Sequence, residues 1–143
     1  MKIILYILIT FAGLYLYAWY IETVFQKQFK KYLSENEGNN ILFYNNRKNS
    51  KDFIETVLMP RLSNRIDRIY LDGKVIARYE DDRKFIKRIL FNLKNYSKFP
   101  HLVKIRNGRV EDVSINNQVF NCINQGKSIS LVIDRINQFF EIR

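Results

Sequence analysis

Residues 3 to 21 form an unbroken apolar segment without a charged side chain. At a rise of about 1.5 Å per residue, a helix of this length crosses most of the ~30 Å hydrocarbon core of a bilayer. Tyr15, Tyr17, Trp19 and Tyr20 crowd its C-terminal end, where aromatic side chains mark a membrane–water interface. The segment therefore predicts a single transmembrane helix.

The flanks of this segment indicate whether it is cleaved and which way it faces. A signal peptide begins similarly, but its apolar run is about 7–15 residues long and ends at a small-x-small site, which does not follow here. An uncleaved anchor is therefore predicted. Lys27, Lys30 and Lys31 follow the span, against Lys2 before it. This charge excess predicts that the three lysines lie at the lipid headgroups, on the cytoplasmic or matrix side with the C-terminal domain.

The rest of the chain divides into an extension, a linker and one folded domain. Apolar side chains continue at helical spacing as far as Tyr32, so residues 1–32 are predicted to form the anchor and its helical extension. Residues 33–40 are polar and contain Gly38, which predicts a linker. Residues 41–143 suffice for a single hydrophobic core and are predicted to form one domain.

Hydrophobic periodicity predicts the elements of this domain in the order strand, helix, strand, helix, strand, strand, helix. The strands are predicted at residues 41–44 and 66–71 and in a hairpin over 99–110, with a further extended segment at 74–79. Ser50 and Ser128 are predicted to cap the first and last helices. In the hairpin, Asn107-Gly108 supplies the positive φ angles of a tight turn, and Pro100 lies at the strand entrance.

The chain contains one cysteine, Cys122, and one histidine, His101. These counts exclude an intrachain disulfide and a CxxC pair and argue against a metal cluster, so no metal and no cofactor are predicted. Cys122 lies in the apolar patch 119–123 and is predicted to be an inert, buried thiol, with a single-cysteine redox protein as the alternative. His101 is predicted to be a strand residue without a catalytic role.

A second alternative is a nuclease. The segment from Arg65 through Asp67, followed by Asp82-Arg83-Lys84, resembles the metal-and-lysine pattern of the PD-(D/E)xK nucleases. In that family the carboxylates hold Mg²⁺ and the lysine stabilises developing charge. The second motif belongs on a strand there, whereas Asp82 is predicted to begin a helix here, which disfavours this interpretation.

The chain is basic, with a formal net charge of +10. Lys84, Lys87, Arg88 and Lys94 recur on the outer face of a predicted helix. Nucleic-acid binding would require clustered basic residues with stacking aromatics, and it is not predicted. On a membrane-tethered domain such residues suit anionic headgroups or an acidic protein partner.

The order of elements resembles the thioredoxin fold from about residue 40 to residue 143. The resemblance depends on Pro60 inside the first helix, Pro100 directly before a strand, the turn glycine Gly108 eight residues later, and a terminal amphipathic helix. It implies an α/β domain with a mixed central sheet flanked by helices. It also implies that Pro100 is a cis-proline and that Pro60 kinks its helix.

The sequence departs from this family at the position of its catalytic motif. In catalytic members a CxxC motif opens the first helix, and the matching positions, counted back from Pro60, are Asp52 and Glu55. Carboxylates can neither attack a disulfide nor resolve a mixed one, so dithiol oxidoreductase activity is excluded.

The sequence therefore predicts a single-pass membrane protein with a redox-inactive, thioredoxin-like interaction domain, an accessory or assembly subunit of a membrane complex. Its predicted partners are the lipid bilayer and other proteins, and no small-molecule substrate is indicated. Asp52, Glu55, Phe99 and Pro100 are predicted to line a partner-binding groove, with the Phe99 ring exposed as a docking point.

Overall fold

The N-terminal segment is one long helix, α1 (Lys2–Glu35). In the computed structural model, which describes residues 2–72 and 81–142, the apolar side chains of residues 3–21 are exposed. By length and composition α1 could span a membrane. The predicted apolar helix and its helical extension are thus continuous, and the helix ends three residues beyond the predicted boundary at Tyr32.

The segment predicted as a linker, residues 33–40, is held against the folded domain. The backbone N–H of Gly38 donates to the carbonyl of Ile105 at 3.0 Å, and the Ile105 N–H donates back to Asn39 at 3.0 Å. The Glu37 carboxylate accepts the backbone N–H groups of the following hairpin turn, at 2.7 and 3.0 Å. Because these groups favour the ionised form, they lower the pKa of the Glu37 carboxyl.

Within the described residues, four strands form one mixed sheet in the order β2-β1-β3-β4. β1 and β2 are parallel, whereas β3 is antiparallel to both of its neighbours, β1 and β4. The strands are β1 (Asn40–Tyr44), β2 (Ile66–Tyr70), β3 (His101–Arg106) and β4 (Arg109–Ser114). The bounds of β1, β2 and β3 were predicted within one or two residues, whereas β4 continues four residues beyond the predicted end of the hairpin at residue 110. The extended segment predicted at 74–79 lies outside the described residues.

The central strand β3 is flanked by the predicted proline on its N-terminal side and by the predicted Asn-Gly turn on its C-terminal side. Asn107 and Gly108 connect β3 to β4 with φ angles of 53° and 65°, as the Asn-Gly hairpin requires. The peptide bond between Phe99 and Pro100 is cis, which confirms that prediction. β3 is buried from His101 to Ile105, because both of its edges are paired and both of its faces are covered.

The helix after β1 changes its geometry along its length. α2 (Ser50–Phe53) continues as a π-helical turn (Ile54–Leu58) and ends as a 3-10 turn (Met59–Arg61). Pro60 has no N–H to donate to the preceding turn, so a regular α-helix does not continue through it. The predicted cap is wrong, because Ser50 is the first helical residue and its hydroxyl donates to the Asn45 carbonyl.

Three further helices complete the domain: α3 (Arg83–Phe91), α4 (Asn116–Gln125) and α5 (Ile129–Phe140). Ser128 caps α5 by accepting a hydrogen bond from the Ser130 N–H, as predicted. α4 is an addition to the predicted order. It contains the patch 119–123, whose few apolar residues are too short a run to reveal helical periodicity.

Two hydrophobic clusters cover the two faces of the sheet. One packs α1 and α3 against Phe43, Val103 and Ile105, and the other packs α2, α4 and α5 against Leu42 and Leu102. Neighbouring residues of one strand enter different clusters because side chains alternate between the faces of a sheet. The C-terminal part of α1 is therefore a layer of the domain core.

Candidate functional site

The carboxyl ends of the parallel strands β1 and β2 carry a cluster of aromatic and charged side chains. The rings of Tyr44 and Tyr70, the last residues of the two strands, are 5.2 Å apart. Lys51 lies over the Tyr70 ring at 4.6 Å, and the Tyr44 hydroxyl donates to Glu55 at 2.9 Å. We call these four residues the tyrosine cluster. Burial, followed by the hydrogen bond to the Glu55 carboxylate, raises the pKa of Tyr44.

The structure places the two predicted groove carboxylates on α2 and its π-helical continuation. Asp52 lies in the first turn of α2 and is exposed, whereas Glu55 is half-buried because it accepts the Tyr44 hydroxyl. Glu55 thus belongs to the tyrosine cluster, and Asp52 follows Lys51 of the cluster in the chain. The sequence indicated their helix but not Tyr44, since a tyrosine in an apolar strand is indistinguishable from a core residue.

The prediction of an exposed Phe99 ring is wrong. Phe99 is only 4% exposed and belongs to the cluster that packs α1 and α3. Its ring meets the rings of Tyr96 and His101 edge-on, and Pro100 is buried beside it. Glu55, in contrast, follows Ile54, which packs on the opposite face of the sheet. The buried Phe99 ring is therefore not available as a docking point for a partner.

Cys122 lies on α4, half-buried, with its sulfur 3.5 Å from the backbone oxygen of Ser128. Burial raises the pKa of the Cys122 thiol, and the nearby Lys127 only partly opposes this. A raised pKa reduces the fraction of thiolate, which is the reactive form of cysteine. This environment is that of a weakly reactive thiol.

His101 is fully buried at the start of β3. Its Nε2 lies 2.8 Å from the Asn95 carbonyl oxygen, so this nitrogen carries the proton. Its Nδ1 is 3.6 Å from the Asp112 carboxylate, too far for a hydrogen bond. Ser114 pairs with His101 across the sheet, but its hydroxyl donates to the Lys98 carbonyl. The pair is therefore not arranged as a nucleophile and its base.

Lowering the pH is expected to destabilise the domain through His101. Burial lowers the pKa of His101 below its ordinary value of 6.5, although the Asn95 carbonyl and Asp112 oppose this effect. Below about pH 6.5 the unfolded chain binds the proton more readily, so stability that is complete above this pH is lost as the pH falls. Urea unfolding between pH 7.5 and 5.5 measures the loss. In His101→Gln the free energy of unfolding should depend less steeply on pH. An unchanged pH dependence would assign the loss of stability to other groups.

The residues of the nuclease-like pattern are not gathered into a metal site. Asp67 lies on β2, while Asp82 precedes α3 and Lys84 donates to Gln28 of α1 at 2.7 Å. Within the described ranges, no group of three or more His, Cys, Asp or Glu side chains could hold a metal ion.

The largest feature that the sequence did not predict is the junction between α1 and α3. Phe25, Phe29 and Tyr32 of α1 surround Phe85 of α3, with ring centroids 4.7 to 6.1 Å from the Phe85 ring. Their helical spacing was visible in the sequence, but the surface that they cover was not. We call these four residues the aromatic junction.

Charged contacts lie along the same junction. Arg88 donates to the Glu22 carboxylate, and its guanidinium lies 4.8 Å from the centre of the Phe25 ring. Of the three lysines predicted at the headgroups, Lys31 forms an ion pair with Glu35 at 3.6 Å, and Lys27 and Lys30 are exposed. Their contact with lipid stays a prediction.

Comparison of the chain with protein-family models, curated proteins and solved structures finds no match. The class that the fold defines is therefore a small mixed α/β domain preceded by a helix that is long and apolar enough to cross a membrane.

Proposed function

We propose that the chain is a single-pass membrane protein whose thioredoxin-like domain binds other proteins and is redox-inactive, as an accessory or assembly subunit of a membrane complex. The strand order β2-β1-β3-β4, with helices on both faces, supports the thioredoxin-like part of this proposal. The aromatic junction supports the anchored part, because it seats the domain directly on the helix that follows the apolar segment.

The observation that carries the proposal is the chemistry at the start of α2. The two positions that would hold cysteines in a catalytic thioredoxin-like protein are the exposed Asp52 and the hydrogen-bonded Glu55. In the tyrosine cluster Tyr44 is buried, whereas Tyr70 is only partly buried beneath Lys51. Tyrosine is enriched in protein interfaces and among the residues that contribute most to binding.

The redox alternative would use Cys122. Its half-buried position and raised thiol pKa favour an inert structural thiol over a nucleophile. A mixed disulfide at Cys122 would require its thiolate form, and the raised pKa disfavours that form. We therefore rank the interaction function first.

Site-specific photo-crosslinking in native membranes tests the proposal. A photoreactive side chain in place of Asp52 is expected to give a discrete cross-linked product, because Asp52 is exposed on α2 next to Lys51 of the tyrosine cluster. Asp134, an exposed aspartate on α5, is the matched control position and should give none. The same products from both positions, or none from either, would contradict a binding site at α2.

A further inference from the structure

The outer face of α3 carries an exposed apolar ring among basic side chains. Phe91 is 81% exposed, although the inner face of its helix packs into the core. Lys84, Lys87 and Arg88 lie seven, four and three residues before it, and residues at these spacings share one side of a helix. An aromatic ring among basic side chains is typical of a helix surface that lies in a membrane interface.

Contacts with α1 determine which side of α3 faces the apolar segment. Arg88 donates to Glu22, the first residue after that segment. On the opposite side of α3, Ile89 and Leu93 line a cleft together with Leu33. At a rise of about 1.5 Å per residue, Leu33 is about 16 Å further along α1 than Glu22. The side of α3 that carries Arg88 is therefore turned toward the apolar end of α1.

Phe91 lies on this same side, one turn after Arg88, and Lys87 is exposed next to it. Glu22 pairs with Arg88 and offsets its charge, so Lys84 and Lys87 supply the exposed positive charge of this surface. Of the other described carboxylates, Asp81 and Asp82 precede α3, at the end remote from Phe91.

We propose that Lys84, Lys87 and Phe91 of α3 bind the headgroup layer of an anionic leaflet, with the Phe91 ring inserted beneath the headgroups. The inference rests on the anchoring part of the proposed function, since the leaflet is the one at which α1 emerges. Basic side chains held close to a membrane surface are attracted by its anionic lipids, and the chain as a whole is strongly positive. A protein bound to the same surface is the competing occupant.

Fluorescence in reconstituted bilayers tests this surface. Phe91→Trp is introduced into the full chain together with Trp19→Phe, which removes the natural indole, the chain having one tryptophan. Vesicles contain either phosphatidylcholine with phosphatidylglycerol or phosphatidylcholine alone, with lipids brominated near the headgroup end of the acyl chains as quenchers. In the anionic vesicles the Phe91→Trp indole is expected to shift its emission to the blue and to be quenched.

Two comparisons make the result specific. Leu131→Trp, at an exposed apolar position of α5 on the other side of the sheet, should keep the emission of an indole in water. Adding Lys84→Glu and Lys87→Glu should abolish the quenching at position 91. Lys84→Gln with Lys87→Gln removes the two charges without reversing them and should reduce the quenching at position 91. This milder pair replaces the glutamate pair if the charge reversal prevents folding.

Unquenched emission from Phe91→Trp would overturn the inference and would favour a protein on this face. Equal quenching of Phe91→Trp and Leu131→Trp would overturn it as well, because it would indicate unspecific adsorption. The natural Trp19 reports on the anchor separately. Quenching of Trp19 without quenching at position 91 contradicts only the lipid contact of α3, whereas an unquenched Trp19 contradicts the anchor and the inference together.

Discussion

Replacing Phe85 by alanine is expected to lower the free energy of unfolding by about 3–5 kcal/mol. Phe85 is 9% exposed and is the central ring of the aromatic junction, 4.7 Å from the Tyr32 ring and 5.8 Å from the Phe25 ring. Its truncation leaves a cavity between α1 and α3 that the surrounding rings fill only in part. Small domains are stable by about 5–15 kcal/mol, so the loss is a large part of the total.

The matched control for this prediction is Phe91→Ala, which makes the same chemical change on the same helix. Phe91 is exposed, so its loss should change the stability in detergent by no more than about 0.5 kcal/mol. Denaturant unfolding of the detergent-solubilised chain, followed by circular dichroism, measures both variants. Equal losses for the two variants would contradict the docking of α1 on α3.

Phe99→Ala is the second substitution with a large expected effect, again about 3–5 kcal/mol of lost stability. The Phe99 ring is almost fully enclosed and contacts Tyr96 and His101 at centroid distances of 5.7 and 5.2 Å. The change acts through a cavity in the core, so any loss of partner binding should follow the loss of folded protein.

Tyr96→Ala separates packing from surface effects at this position. Tyr96 touches the same ring but is 58% exposed, so its truncation should cost well under half as much as that of Phe99. Unfolding curves and cross-linking from position 52 are measured on the same samples. A Phe99→Ala chain of unaltered stability that no longer cross-links would restore the exposed-ring hypothesis.

The parts of the fold that follow from local rules could be predicted from the sequence. The hairpin is specified by Asn107-Gly108, whose positive φ angles admit few other residues. The apolar strand at 41–44 and the apolar segment at 3–21 are continuous runs, and each has a length that suits only one kind of element.

The parts of the fold that depend on tertiary packing could not be predicted from the sequence. Phe99 follows a polar loop and precedes a strand, and nothing local specifies which way its ring turns. It is buried because α3 and α1 close over that face of the sheet. The same holds for α4, whose apolar residues lie within the five residues 119–123 and are too short a run to reveal a helical period in the sequence. At the candidate site, Asp52 and Glu55 followed from the thioredoxin resemblance, counted back from Pro60. The hydrogen bond from the Tyr44 hydroxyl to Glu55 depends on how α2 packs beside β1, which no local pattern specifies.

The backbone hydrogen bonds that join Gly38 and Asn39 to Ile105 attach the C-terminal end of α1 directly to the sheet. If α1 spans a membrane, the orientation of the sheet would therefore follow the orientation of this helix. A bilayer thicker or thinner than the apolar segment changes the tilt of such a helix. Because the sheet is attached to α1, a change in this tilt would change the orientation of the tyrosine cluster relative to the bilayer. The thickness of the lipid layer would thus set the orientation of the domain.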